Sequence, residues 1–148
     1  VTDCVVDLSI DAYIPQNYIE HPPQRLDIYR KIAAIRSEED ASDVLDELID
    51  RFGEPPEAVK SLMEIATIRN RAAAQGIKEV KEQGDGIVLY PVQVDMAQVS
   101  KLSAALRGRV MVNASSVKPH IYIRKGKNQN SKEALSEVLG QLEKIASS

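Results

Sequence analysis

The sequence predicts an α+β fold: a helical N-terminal half with a helix-corner-helix, followed by a small, mostly antiparallel sheet backed by helices. Three observations carry that prediction. Apolar residues recur at three- and four-residue spacing between Leu26 and Ala73. Gly53 followed by Pro55-Pro56 sets a hard break inside that stretch. Beyond Gly76 the period shortens to strand-like runs separated by turn residues. A chain of 148 residues with 43% hydrophobic content can bury a core, and it reads as one domain over residues 1–148, with a strand and helices in 1–76 and strands with two helices in 77–148.

Taken in order, Val5 to Asp11 alternates, with Val6, Leu8 and Ile10 on one side, as a half-buried strand does. Pro15 and Pro22-Pro23 break it, and a helix is expected from about Gln24 to Arg36, with Leu26, Ile28, Tyr29, Ile32, Ala33 and Ile35 as its apolar face. Ser37 and Asp40 form a Ser-x-x-Asp capping box that opens a second helix, closed at Gly53 in a left-handed conformation. Proline is tolerated in a first helical turn, so a third helix runs from Pro55-Pro56 through Val59, Leu62, Met63, Ala66 and Ala73 to a stop at Gly76. Strands are expected at Ile77 to Glu82 and Gly86 to Tyr90, joined by Gln83-Gly84-Asp85, then a helix capped by Asp95 to about Leu106. Val110 to Asn113 and His120 to Lys125 read as the last strands, and a helix opened by Ser131 with Glu133 runs to about Ala146.

Composition narrows the chemistry. Cys4 is the single cysteine and the two histidines stand far apart, so neither an internal disulfide nor a zinc spacing is available. No Gly-x-x-x-x-Gly-Lys-Ser/Thr phosphate loop occurs, and neither His21 nor His120 sits in a nucleophile motif. No catalytic residue, cofactor site or metal site is assigned, and the segment reads as non-enzymatic. A net charge of −3 and the absence of Trp argue against a domain devoted to gripping phosphates or stacking bases. Val1 in place of Met, with no signal peptide and no apolar run of spanning length, is read as a cytoplasmic piece of a longer protein that does not enter a membrane and stays monomeric.

Two surfaces stand out. At 100° per residue, the second helix gathers Ala41, Val44, Leu45, Leu48, Ile49 and Phe52 in one arc and Asp43, Asp46, Glu47 and Asp50 in the other. Like charges three or four apart each cost the helix about 0.2–0.5 kcal/mol, and only Arg51, four residues after Glu47, offers a local counter-charge. Such a row is either a solvated face or a docking surface that steers a partner bearing Arg or Lys. The second surface is the basic segment Lys118, His120, Arg124, Lys125 and Lys127, supplemented by Arg107 and Arg109. It is read either as a phosphate-contacting patch or as a charged edge strand guarded against aggregation.

The strings Asp11-Ala-Tyr-Ile-Pro-Gln-Asn-Tyr-Ile, Arg25-Leu-Asp-Ile-Tyr-Arg-Lys-Ile-Ala and above all Glu47-Leu-Ile-Asp-Arg-Phe-Gly-Glu-Pro-Pro resemble the C-terminal domain of the bacterial transcription-repair coupling factors (Mfd). The resemblance covers essentially the whole chain and is strongest over residues 11–69. It implies part of an ATP-driven DNA translocase that displaces stalled RNA polymerase and recruits UvrA, with ATP and magnesium held by a motor upstream and double-stranded DNA as its track. It also implies a regulatory contact between this domain and the N-terminal UvrA-binding module of the same chain, carried here by Glu47, Asp50 and Arg51. Asp43 and Asp46 lie outside the strong motif.

Overall fold

The computed structural model describes residues 3–148, so Val1, on which the reading of a longer parent chain rests, lies outside the described residues. The elements are β1 (Val5–Asp7), α1 (Pro22–Ala33), α2 (Glu38–Phe52), α3 (Glu57–Ala74), β2 (Ile77–Gln83), β3 (Gly86–Pro91), α4 (Met96–Ala105), β4 (Val110–Asn113), β5 (His120–Arg124) and α5 (Ser131–Ala146). The α+β expectation holds. The fold's internal contacts gather into two compact units, one of residues 10–70 and one of the residues up to Ser9 together with Arg71–Ser148.

In the helical unit the proline pair does not precede α1 but starts it, because a residue in the first turn has no helical acceptor to lose. His21 occupies the N-cap with extended backbone and no side-chain bond. The core is built from Ile14, Ile19, Ile28, Ile32, Ile35, Val44, Leu48, Val59 and Ala66. Two members of the expected α1 face are displaced from it: Leu26 is exposed, and so is Ala33. α1 ends earlier than expected because the chain turns after Ala33, where the Arg36 guanidinium donates to the carbonyls of Ala33 and Ile35 at 3.0 Å. Asn70 of α3 donates to Ile35 O at 2.7 Å, which fixes the α1–α2 corner on α3.

The other unit holds a five-stranded sheet in the order β1-β2-β3-β5-β4. β1 runs parallel to β2 and all other pairs are antiparallel. The opening strand is shorter than its alternation suggested, ending at Asp7, although the in-out pattern of burial continues through Ile10. In register across the sheet, Val80, Leu89, Ile121 and Val112 share one face. α5 packs on β3 and α4 on β4, and α5 contributes the buried Ala134, Leu135, Val138, Leu139 and Leu142. The cap of α5 is Asn130, one residue before the expected Ser131, and it forms a full capping box with Glu133. Among the described residues no helix is long and apolar enough to cross a membrane.

Two ion pairs brace α5. Arg71 grips Glu143 through Nε and Nη2, along one edge of its guanidinium, at 2.9 and 2.8 Å, and Arg109 holds Glu137 at 2.9 Å. Hydrogen bonds from Arg71 hold the Glu143 carboxyl below its ordinary value of 4.5, and those from Arg109, then Gln129, do the same for Glu137. A lowered folded-state value means the stabilisation is complete above that ordinary value and is lost as pH falls through the folded one. The denaturation midpoint should therefore drop on acidification from about pH 6 to about pH 3. A Glu137→Gln/Glu143→Gln variant should start lower at the upper pH and depend on pH less steeply; an unchanged slope would contradict this assignment.

The acidic helix and the basic segment

The sequence of α2 explains its own ends. Ser37 Oγ accepts from Asp40 N at 3.1 Å, and Glu38, Glu39 and Asp40 place negative charge in the first turn, where the helix dipole favours it. The capping box is not reciprocal as expected: Asp40 Oδ2 reaches past Ser37 to accept from Arg36 N at 2.9 Å. At the other end Gly53 has φ 85° and ψ −171°, a region essentially reserved for glycine and further from the helix than the left-handed conformation the sequence suggested. Tyr18 locks this end by donating to Gly53 O at 2.7 Å while its ring lies 5.9 Å from that of Phe52. Burial, then the nearby Glu54, raises the Tyr18 pKa, so the phenol remains a donor.

Along the body of α2 the acids separate into two kinds. Glu47 sits at the flank facing α1, where Lys31 Nζ reaches it at 2.8 Å and Arg51 Nη1 at 2.7 Å. The hydrogen bond from Lys31, then that from Arg51, lowers its pKa, while Glu47 and Asp27 raise that of Lys31. Arg51 is held as well, 4.9 Å above the Phe52 ring. Two of the residues expected to face a partner are thus bound to each other and to α1. Asp43, Asp46 and Asp50 differ: each is exposed, and among the described residues none takes part in an ion pair. With the exposed Glu39 they form a continuous outward row.

The expected apolar arc of α2 is narrower than its sequence implied. Val44 and Leu48 are buried and Phe52 is half-buried, but Leu45 and Ile49 stand 37% and 44% exposed beside the acidic row. The 100° advance sets them at the rim of the arc, a position the moment of a six-residue apolar face conceals.

The basic segment is more dispersed than its spacing suggested. Lys118 bonds Glu79 at 2.9 Å and lies 4.1 Å above the Tyr90 ring, with His120 Nδ1 3.0 Å from its carbonyl. Arg109 is half-buried and turned inward, to Glu137, Gln129 and Arg124 O. Arg107, Arg124 and Lys127 are exposed, with Lys125 half-buried beside them, and no ion pair among the described residues holds them. The edge-strand reading fails: β5 lies between β3 and β4, and β4 is the edge. His120 lines a shallow cleft of about 460 Å³ with Met111, Asn113 and Tyr122, and a second cleft of about 440 Å³ lies among Tyr90, Val92, Met96 and Val117. Neither lining includes a carboxylate. Among the described residues no group of histidine, cysteine and acidic side chains is arranged to hold a metal ion.

The sequence profile of the TRCF domain matches residues 8–102. The chain belongs to the TRCF domain family. It is similar to a transcription-repair-coupling factor of Staphylococcus epidermidis, 34% identical over 124 residues, covering 78% of this chain and 11% of that protein. With the Bacillus subtilis factor of the same name it is 28% identical over 142 residues, covering 93% of the chain and 12% of the relative. The chain thus spans about an eighth or less of these relatives. Its fold matches a solved C-terminal domain of a transcription-repair coupling factor with a TM-score of 0.81 at 22% identity, over 97% of this chain and 94% of the other.

Proposed function

We propose that this TRCF domain is a non-catalytic regulatory module whose α2 face docks reversibly on a basic surface of the parent chain, the N-terminal UvrA-binding module, and masks it. The parent would be a cytoplasmic DNA translocase acting on stalled RNA polymerase and double-stranded DNA, with ATP and magnesium bound in a motor outside this segment. One observation carries the reading: Asp43, Asp46 and Asp50 project from a doubly capped helix, and among the described residues none of them enters an ion pair. An uncompensated row costs the isolated helix stability, and a cationic partner converts that cost into attraction and orientation. Exposed charge pairs also make and release contacts quickly, as a mask must.

Charge reversal at Asp46 and Asp50 is the cleanest test, because Glu47→Lys would set a third cation against Lys31 and Arg51 and confound docking with folding. In the full-length parent, Asp46→Lys/Asp50→Lys should raise both UvrA binding and ATP turnover, by about tenfold if the contact loses roughly 1.4 kcal/mol. Unchanged values for both would sink the reading. The competing reading, phosphate contact through Arg124, Lys125 and Lys127, predicts DNA binding by the 148-residue chain that weakens steeply with salt. The engagement of Lys118 by Glu79 and of Arg109 by Glu137 counts against it.

A further inference from the structure

Leu45 and Ile49 are four residues apart, so they stack on one strip of α2, and Asp46 and Asp50 form the next strip, displaced by a single residue. The exposed surface of the helix is therefore two parallel rows, one apolar and one anionic, rather than a uniform acidic face. Among the described residues neither row is covered. Leu45 and Ile49 remain 37% and 44% exposed, and Asp46 and Asp50 enter no ion pair among the described residues. By contrast, the opposite flank of the same helix is closed by Lys31, Glu47 and Arg51.

The two rows constrain what can sit on them. A purely cationic surface would satisfy the aspartates and leave both aliphatic side chains wet. A purely apolar one would cover the aliphatics but strip water from the aspartates without replacing its hydrogen bonds. Only a mixed surface satisfies both rows, and stable contacts of this kind centre on a buried apolar anchor with charge pairs around it. We infer that Leu45 and Ile49 form the apolar half of the α2 docking face, seating a large aliphatic or aromatic side chain of the basic parent-chain surface between flanking arginines or lysines. This inference rests on the docking reading above and adds the chemistry of the partner to it.

The test uses the full-length parent chain and reads UvrA binding for two variants side by side, Leu45→Ala/Ile49→Ala and Asp46→Lys/Asp50→Lys. Both should raise binding, the first by about tenfold, the size expected for truncating an anchor. If charge reversal raises binding and the alanine pair does not, the apolar half is refuted and the docking reading stands. Should neither variant change binding, the docking reading falls and takes this inference with it. Release by the alanine pair alone would refute the mixed partner, because the flanking cations would then have no role. Thermal melts of the 148-residue chain guard against trivial unfolding: both side chains are more than a third exposed, so the alanine pair should melt with the parent sequence. Ile49→Asp, which adds a carboxylate to a solvated position, should release the contact as well; normal UvrA binding by that variant would also overturn the inference.

Discussion

Truncating Leu48 to alanine should cost the helical unit about 2–5 kcal/mol, the largest loss expected from a single side chain of α2. Leu48 is fully buried, and it lies on the inner face of α2 within the cluster formed by Ile14, Ile19, Ile28, Ile32 and Val59. Removing its isobutyl group loses the transfer free energy of the methyl groups and leaves a void lined by β-branched side chains, which cannot swing into it. The surroundings resist collapse for a second reason: Tyr18, half-buried against the same cluster, is pinned by its bonds to Gly53 O and Leu48 O. Urea denaturation followed by circular dichroism would measure the loss, and a shift below about 1 kcal/mol would mean that the core closes up more readily than this packing allows. The variant also separates two ways of losing a docking face. Leu48→Ala acts by loosening the helix and should accelerate amide exchange throughout α2, whereas Asp46→Lys/Asp50→Lys changes the surface and should leave exchange as it was.

How far the sequence anticipated this arrangement depends on the range of the interaction involved. α2 was legible almost to the residue, because Ser37, Gly53 and the proline corner are local signals and the 3.6-residue period repeats for four turns. Strands β2 to β5 were placed within a residue or so for the same reason. Long-range pairing was not legible. Nothing between Val5 and Asp7 announces a parallel partner at Glu79 to Lys81, and nothing in the basic segment reveals that β5 is interior, since lysines flanking a central strand look like those guarding an edge. The site divides along the same line. Periodicity found the acidic arc, but the engagement of Glu47 by Lys31 joins residues sixteen apart on different helices, and only the folded unit brings them together. The period places Leu45 and Ile49 in the apolar arc, but an apolar residue at the margin of such an arc is buried or bare according to what packs beside it, which the period does not encode.

Gly86→Ala should destabilise the sheet by about 1–3 kcal/mol or more, although the sequence marks Gly86 only as the first residue of a strand. Gly86 opens β3, paired with Gln83 on one side and Arg124 on the other, so both neighbouring backbones are fixed by the ladder. A Cβ built there would lie 2.3 Å from Ile123 O and 2.7 Å from the Cζ and Oη atoms of Tyr122. The tyrosine can yield, since χ1 rotation swings its ring away at the loss of its hydrogen bond to Asp85. The Ile123 carbonyl cannot, because it belongs to a strand held on both edges and moving it disturbs the pairing with β3 and β4. These unequal responses make the prediction specific. Adding Tyr122→Ala to Gly86→Ala should recover only part of the lost stability, whereas a collision with the ring alone would be relieved in full. A Gly86→Ala melting temperature equal to that of the parent chain would show that β3 and β5 can separate locally at no cost, which the unbroken register from Gly86 to Leu89 argues against.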